Sequence, residues 1–398
     1  MCIRDSMDTL KKSTSLIKNL ECFKCKKEYA PFEINTYAHC CNQPLIVEYN
    51  NGLEFLKEDL LLREKNMWRY AEMLPILDKQ NIVSLGEGMT PILSLSNLSR
   101  QYHFNNLLVK DESFNPTGSF KARGLSVAVS KAKELNIDKC IMPTAGNAGG
   151  ALAAYCAKAG IQCTIVMPRH TPSVFKKECR LYGAEVILVD GLINDCAKKV
   201  DELKVKEQYF DMSTLKEPYR LEGKKTMGYE IAEQLNWELP DYVIYPAGGG
   251  TGLIGIWKAF KEMLNLGWIT GPLPKMIAIQ SLNCNPIMLC LQDPDNWKKT
   301  FSPLPTLANG LAVPYPFGMT MMLQVIKESG GTVFAVSEED IIEGVLEMAK
   351  EEGILAAPEG AAVWKALVHL RQLHVIPSES KILMINTGSG YKYLENLN

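Results

Sequence analysis

The stretch Asp241-Tyr-Val-Ile-Tyr-Pro-Ala-Gly248-Gly249-Gly250-Thr251-Gly252-Leu-Ile-Gly255 decides how the rest of the chain is read. An apolar run of strand length meets a cluster of glycines, and a helical pattern follows to Leu264. Glycines let the backbone approach an anion closely. Several N–H groups and a helix N-terminus can then converge on phosphate oxygens, with Thr251 adding a hydroxyl. A tight strand-to-helix turn explains the same glycines without any ligand. Gly250-x-Gly252-x-x-Gly255 also matches the dinucleotide fingerprint, which needs an acid near the end of the next strand. That strand ends Ile279-Gln280-Ser281, without one, and no lysine follows the glycines as in a nucleoside-triphosphate loop. The loop therefore suits a lone phosphate monoester.

Outward from this stretch, β-rich runs alternate with amphipathic ones from Leu107 onward. Strands are predicted at 107–109, 140–142, 163–167, 186–189, 242–245, 276–279, 333–336 and 381–385. Helices are expected between them, including Gly149 to Ala159 and one opened by Ser337-Glu338-Glu339-Asp340 and closed by Gly353. Such alternation means parallel sheets covered on both faces, with ligands beyond the carboxyl ends of the strands. A helix is expected from about Leu53 to Leu77. The first fifty residues read as a separate small ribbon, with Cys22-x-x-Cys25, Cys40-Cys41 and a strand at Pro44–Tyr49.

The 398 residues suffice for two to three domains at about 150 residues each. With 46% hydrophobic and 22% charged residues, the chain is neither disordered nor collagen-like. Its 43 Lys and Arg against 45 Asp and Glu give a net charge of -2, so no basic excess calls for nucleic acid. No apolar run reaches the length of a membrane span. The polar, Lys-rich segment Met1 to Leu20 lacks the apolar core of an export signal, so a cytoplasmic protein is expected. Met1-Cys2-Ile3-Arg4-Asp5-Ser6 reads like a sequencing scar, with Met7 as the start. Of the 12 cysteines, Cys140, Cys156, Cys163, Cys179, Cys196, Cys284 and Cys290 are scattered through apolar contexts, as reduced thiols serving as small hydrophobes.

Three further motifs fall after predicted strands. In Asn115-Pro116-Thr117-Gly118-Ser119-Phe120-Lys121, Pro116 and Gly118 make a turn and Ser119 is expected to cap the next helix. Lys121 then lies in its first turn, where the positive helix end lowers the amine's pKa and frees it to attack a carbonyl. Most lysines, however, are solvated surface residues. In Pro143-Thr144-Ala145-Gly146-Asn147, Thr144, Asn147 and backbone N–H groups can hold a carboxylate, or Asn147 can simply be the N-cap. In Asn386-Thr387-Gly388-Ser389-Gly390, small residues admit a planar ring and Thr387 offers it a neutral hydroxyl.

Together and in this order, these motifs resemble the fold-type II pyridoxal-phosphate enzymes. Gly86-Glu87-Gly88-x-Thr90-Pro91 and Tyr219-Arg220-x-Glu222-Gly223 narrow the resemblance to the threonine synthases. It covers the chain from about Cys22 to the end. It implies an α/β architecture of two parallel-sheet domains, tryptophan synthase β-like, plus the N-terminal ribbon. The divisions are the tail and ribbon at 1–50, a large cofactor-binding domain at 51–115 plus 218–398, and a smaller mobile domain at 116–217.

The resemblance also implies pyridoxal 5′-phosphate as cofactor, joined to Lys121. Asn147 would meet its 3′-oxygen, Gly248, Gly249, Gly250, Thr251 and Gly252 would hold its phosphate, and Thr387 would face the ring nitrogen. Thr144 and Arg220 would bind substrate, Arg220 at a phosphate, since a guanidinium fork meets two oxygens at once. An ion pair of Arg220 with Glu217 or Glu222 is the structural alternative. Lys224 and Lys225 nearby favour a phosphorylated substrate. The implied reaction converts O-phospho-L-homoserine and water to L-threonine and phosphate in a cytoplasmic homodimer. Threonine or serine dehydratase and cysteate synthase are the sister reactions. A catalytically silent cofactor-binding protein and a zinc-ribbon interaction protein are the readings from other classes. Relatives often carry two Cys-x-x-Cys pairs that suggest zinc. Here the second pair is Cys40-Cys41, behind His39, and adjacency strains a tetrahedron. A metal-free ribbon is expected, with Cys22, Cys25, Cys40 and Cys41 the metal candidates.

Overall fold

The computed structural model describes residues 15–50 and 55–397. The start at Met7 and the first two residues of the expected 53–77 helix lie outside them. At the N-terminal end, β1 (Ile17–Cys22) pairs antiparallel with β2 (Glu28–Tyr29) and β3 (Leu45–Tyr49), forming the ribbon. The rest of the expected helix does not form. The segment folds instead as 3₁₀ turns at Lys57–Leu62 and Met67–Met73. Asn66, in extended backbone, accepts a hydrogen bond from Trp68 N and restarts the chain direction. The apolar side chains Leu60, Met67, Tyr70, Met73 and Leu74 are all buried, so the apolar pattern reports burial without helical order.

Two sheets follow. One contains β4 (Ile92–Ser94), β5 (Asn106–Asp111), β10 (Tyr242–Pro246), β11 (Lys275–Ser281), β12 (Thr332–Val336) and β13 (Lys381–Asn386), in the order β12-β11-β10-β13-β5-β4. All its pairs are parallel except β4 with β5. The other contains β6 (Lys139–Pro143), β7 (Gln162–Pro168), β8 (Glu185–Val189) and β9 (Phe210–Asp211), all parallel, in the order β8-β7-β6-β9. Every residue of β10 and all but the first of β13 are buried, as helices on both faces require. The helix Glu338–Glu352 opens with the expected reciprocal cap: Ser337 Oγ accepts from Asp340 N at 3.1 Å, and Ser337 N donates to Asp340 at 3.2 Å. Among the described residues no helix is long and apolar enough to cross a membrane.

Candidate active site

Four loops leave the carboxyl ends of β5, β6, β10 and β13 and meet at one cavity of about 470 Å³. Lys121, Thr144, Asn147, Arg220, Gly248, Gly249, Gly250, Thr251 and Thr387 all line it. Gly252 does not. It sits one layer behind, where a Cβ would come within 1.9 Å of Tyr245 Oη.

Lys121 is held by the loop after β13. The turn before it reverses at Thr117 (φ 60°) and Gly118 (φ 64°). Phe120 N then donates to Thr387 O at 3.0 Å, and Ser389 N to Gly118 O at 2.9 Å. Phe120, not Ser119, occupies the cap position of the helix Lys121–Glu134, because this backbone pairing holds Ser119 in extended conformation. Lys121 therefore opens the helix, and its amine is lowered to about 8. Burial in the cavity wall is the largest cause and the Arg220 charge the next, opposed by Glu359.

The glycine loop is a cup. Gly250 takes φ +78°, a left-handed conformation that glycine adopts without strain, and a Cβ at Gly248 would lie 2.0 Å from Gly310 O. Thr251 opens the helix Thr251–Asn265, and its Oγ1 accepts a hydrogen bond from Lys224 Nζ at 2.5 Å.

Asn147 is the first helical residue of Asn147–Ala159, with Gly146 as the cap. The amide is thereby left to the cavity. Its Oδ1 is buried without a hydrogen-bond partner, and its Nδ2 donates weakly to Tyr393 Oη at 3.4 Å. Tyr393 Oη donates to Glu359 Oε1 at 3.2 Å, which also accepts from Gly310 N at 2.6 Å. Burial holds the Glu359 carboxyl above its usual range. Glu359 and Tyr393 escaped the sequence reading. Their one signal is Pro358-Glu359-Gly360 at a helix start, where an acid reads as an ordinary first-turn residue. Thr144 Oγ1 accepts from Gly146 N at 3.3 Å.

Arg220 is only 1% exposed, so a surface ion pair is ruled out. Its Nη1 donates to Met212 O at 2.6 Å, while Nε is buried without a hydrogen-bond partner. Glu217 approaches Nε only to 4.0 Å. Burial pushes the Glu217 carboxyl up to about 8, so it is mostly uncharged at neutral pH. Glu222 faces elsewhere, bonded to Lys225 and Lys258 at 2.6 Å each. Lys225 is thus a paired structural cation and no part of the site, and Lys224 is at Thr251 instead of beside the guanidinium's free edge.

In the ribbon, the Sγ atoms of Cys22, Cys25, Cys40 and Cys41 all lie within 4.8 Å of one another, with Cys25 and Cys40 at 3.5 Å. The adjacency of Cys40 and Cys41 does not keep them apart. The turn after Ala38, closed by an Ala38–Gln43 bridge, folds both thiols toward the β1–β2 knuckle. His39 is outside the group, with its ring against Tyr37 at 4.7 Å.

Residues 83–388 match the family model described as pyridoxal-phosphate dependent enzyme. The chain is 36% identical over 374 residues to a threonine synthase of Methanocaldococcus jannaschii, covering 93% of this chain and 92% of that one. It is 34% identical over 372 residues to a threonine synthase of Methanosarcina acetivorans, covering 93% and 91%. Among solved structures, it is similar to O-ureido-L-serine synthase, with a TM-score of 0.65 at 23% identity, covering 77% and 91%. It is also similar to threonine deaminase isoform 2 of Solanum lycopersicum, with a TM-score of 0.64 at 22% identity, covering 78% and 87%. The last two likenesses speak for the fold alone.

Proposed function

The chain belongs to the pyridoxal-phosphate dependent enzyme family, among relatives of the threonine synthases, and from that premise we propose that it converts O-phospho-L-homoserine and water to L-threonine and phosphate. Pyridoxal 5′-phosphate is its cofactor. The residues present suit that group. The cup at Gly248–Thr251 offers backbone and hydroxyl donors to a phosphate, Lys121 offers an amine of lowered pKa to an aldehyde, and Asn147 has a buried amide oxygen still without a partner. When bound, the cofactor supplies an electron sink for charge developing on the substrate's carbons.

In this reading the chain's own residues divide the remaining work. Lys121 anchors the aldehyde. Once free, its amine is the base at the α-carbon and the carrier of protons along the substrate. Thr144 and the N–H groups at the start of helix Asn147–Ala159 hold the substrate carboxylate. Thr387 presents a neutral hydroxyl to the ring nitrogen, which restrains transamination. Arg220 holds the substrate phosphate and takes its charge as the γ-carbon–oxygen bond breaks, and water adds at the β-carbon.

The observation that carries the choice of substrate is Arg220. It is a buried guanidinium on the cavity wall whose nearest carboxylate, Glu217, stands 4.0 Å away and is held toward its uncharged form by burial. The sister dehydratases act on unphosphorylated amino acids and have no use for such a group. The test is phosphate release from O-phospho-L-homoserine against ammonia release from threonine and serine by the holoenzyme. Ammonia release as the faster reaction would overturn the assignment. In the same reading the enzyme is a cytoplasmic homodimer whose domains divide at 115/116 and 217/218.

The ribbon supports a second assignment. A tetrahedral zinc–thiolate centre needs sulfurs about 3.8 Å apart, given Zn–S bonds of about 2.3 Å. Four thiols within 4.8 Å meet that requirement after small rotations. We infer a structural zinc ion there, replacing the metal-free ribbon expected from spacing. Metal analysis should find one zinc per chain, lost in Cys40→Ser.

A further inference from the structure

Lys224 and Lys225 are neighbours on the helix Tyr219–Gln234, and the fold treats them oppositely. Lys225 Nζ meets Glu222 at 2.6 Å and Glu262 at 3.0 Å. Lys224 is equally buried, at 1% exposure, yet among the described residues no carboxylate lies within ion-pairing distance of its ammonium. Its hydrogen-bond partner is a neutral hydroxyl, Thr251 Oγ1 at 2.5 Å. The Phe120 ring lies under it, with Nζ 4.8 Å from the ring centroid. Gly124 makes room for its stem, since a Cβ there would be 3.1 Å from Lys224 Cε.

A buried cation without a counter-charge is costly unless a ligand provides one. The surroundings raise that cost. Burial, then Lys121, then Arg220 hold the Lys224 amine well below the ordinary lysine range, with Glu217 the one opposing carboxylate. Thr251, which it touches, is on the wall of the cavity at the lip of the glycine cup.

We propose that Lys224 is the charged floor of this cup, its ammonium neutralising the cofactor's phosphate from behind Thr251. The inference rests on the reading that Gly248–Thr251 hold that phosphate. It adds a residue that the glycine loop alone does not predict. The backbone N–H groups and the hydroxyl give direction to the phosphate oxygens, and Lys224 gives the site its charge.

The test uses apoprotein titrated with pyridoxal 5′-phosphate and, separately, with pyridoxal, which has the same aldehyde and no phosphate. In the wild type the phosphorylated form should bind far more tightly. Lys224→Gln should weaken pyridoxal 5′-phosphate by about 10- to 100-fold, the loss of one charge-assisted contact. It should leave pyridoxal within about twofold, and Lys224→Arg should recover part of the loss. The apoprotein melting temperature of Lys224→Gln should stay level or rise, since a desolvated charge is removed. Unchanged affinity of Lys224→Gln for pyridoxal 5′-phosphate overturns the proposal. Equal wild-type affinity for the two aldehydes overturns the cup reading itself, a distinct outcome.

Discussion

The helices Lys121–Glu134 and Tyr219–Gln234 share two buried charged clusters. In the first, Arg123 meets Glu112 at 2.6 and 2.8 Å and Glu230 at 2.6 and 2.7 Å, while Lys110 reaches Glu230 at 3.1 Å. Two cations face two carboxylates, and these side chains are fully buried. In the second, Lys121, Lys224 and Arg220 face Glu217 and Glu359, whose carboxyls burial raises above their ordinary range. The first cluster is closed on itself and binds helix to helix. The second is short of negative charge and opens onto the cavity. Charge balance, not burial, separates a structural network from a site prepared for anions.

That contrast breaks most sharply at Lys121. Lys121→Ala should lower threonine formation by at least about 10⁴-fold and abolish the absorbance of the lysine-linked cofactor. The apoprotein should melt no lower than the wild type, because the residue removed is an uncompensated cation. Turnover within tenfold of the wild type would remove Lys121 from the chemistry. Arg123→Met should do the reverse. It leaves Glu112 and Glu230 buried without their partner and should cost about 3–5 kcal/mol of stability, read by denaturant unfolding. Adding Glu112→Gln and Glu230→Gln should restore part of that loss. If the single variant is as stable as the parent, the closed cluster does not hold the helices.

Arg220→Met sharpens the comparison from the open side. It should lower kcat/KM for O-phospho-L-homoserine by about 10²- to 10³-fold while leaving the cofactor absorbance intact. A matching loss with an unphosphorylated amino acid would mean that Arg220 supports the fold and not the substrate phosphate.

The difference between the clusters also explains what could be read in the sequence. Strand–glycine–helix junctions are local, so Gly250, Thr251 and the Lys121 turn were legible from spacing. The two sheets were legible too, because a strand covered on both faces must be continuously apolar, as β10 and β13 are. Antiparallel β4 lies at the sheet edge and has only three residues, too few to show a pattern. Glu359 and Tyr393 join the site from chain segments far from the glycine loop, and only the packing of the helix Pro358–Gln372 reveals them. Lys224 and Lys225 look alike in sequence, and their opposite surroundings depend on where Glu262 and Thr251 fall across the helix pair.

The smallest expected effect is on how apoprotein stability varies with pH. Lys121 titrates at about 8 in the folded chain against roughly 10.4 when unfolded. Between those values the unfolded chain holds a proton that the folded chain lacks, so this residue makes stability rise with pH above about 8. Glu217 titrates at about 8 when folded against roughly 4.3 when unfolded. There the folded chain holds the extra proton, so its contribution is present in acid and lost as pH climbs toward 8. The two slopes meet, and these two residues should together give the apoprotein a stability contribution that is lowest near pH 8. Glu230 in the closed cluster, held at about 2 by Arg123 and Lys110 against its own burial, contributes a constant stabilisation in that range and loses it only as pH falls from about 4.5 toward 2. Melting temperatures across pH 6 to 10 should therefore dip in the wild-type apoprotein, and the dip should become shallower in Lys121→Met/Glu217→Gln. A dip of undiminished depth in the double variant would mean that Lys121 and Glu217 do not set it, and that the charge imbalance of the second cluster does not reside in these two residues.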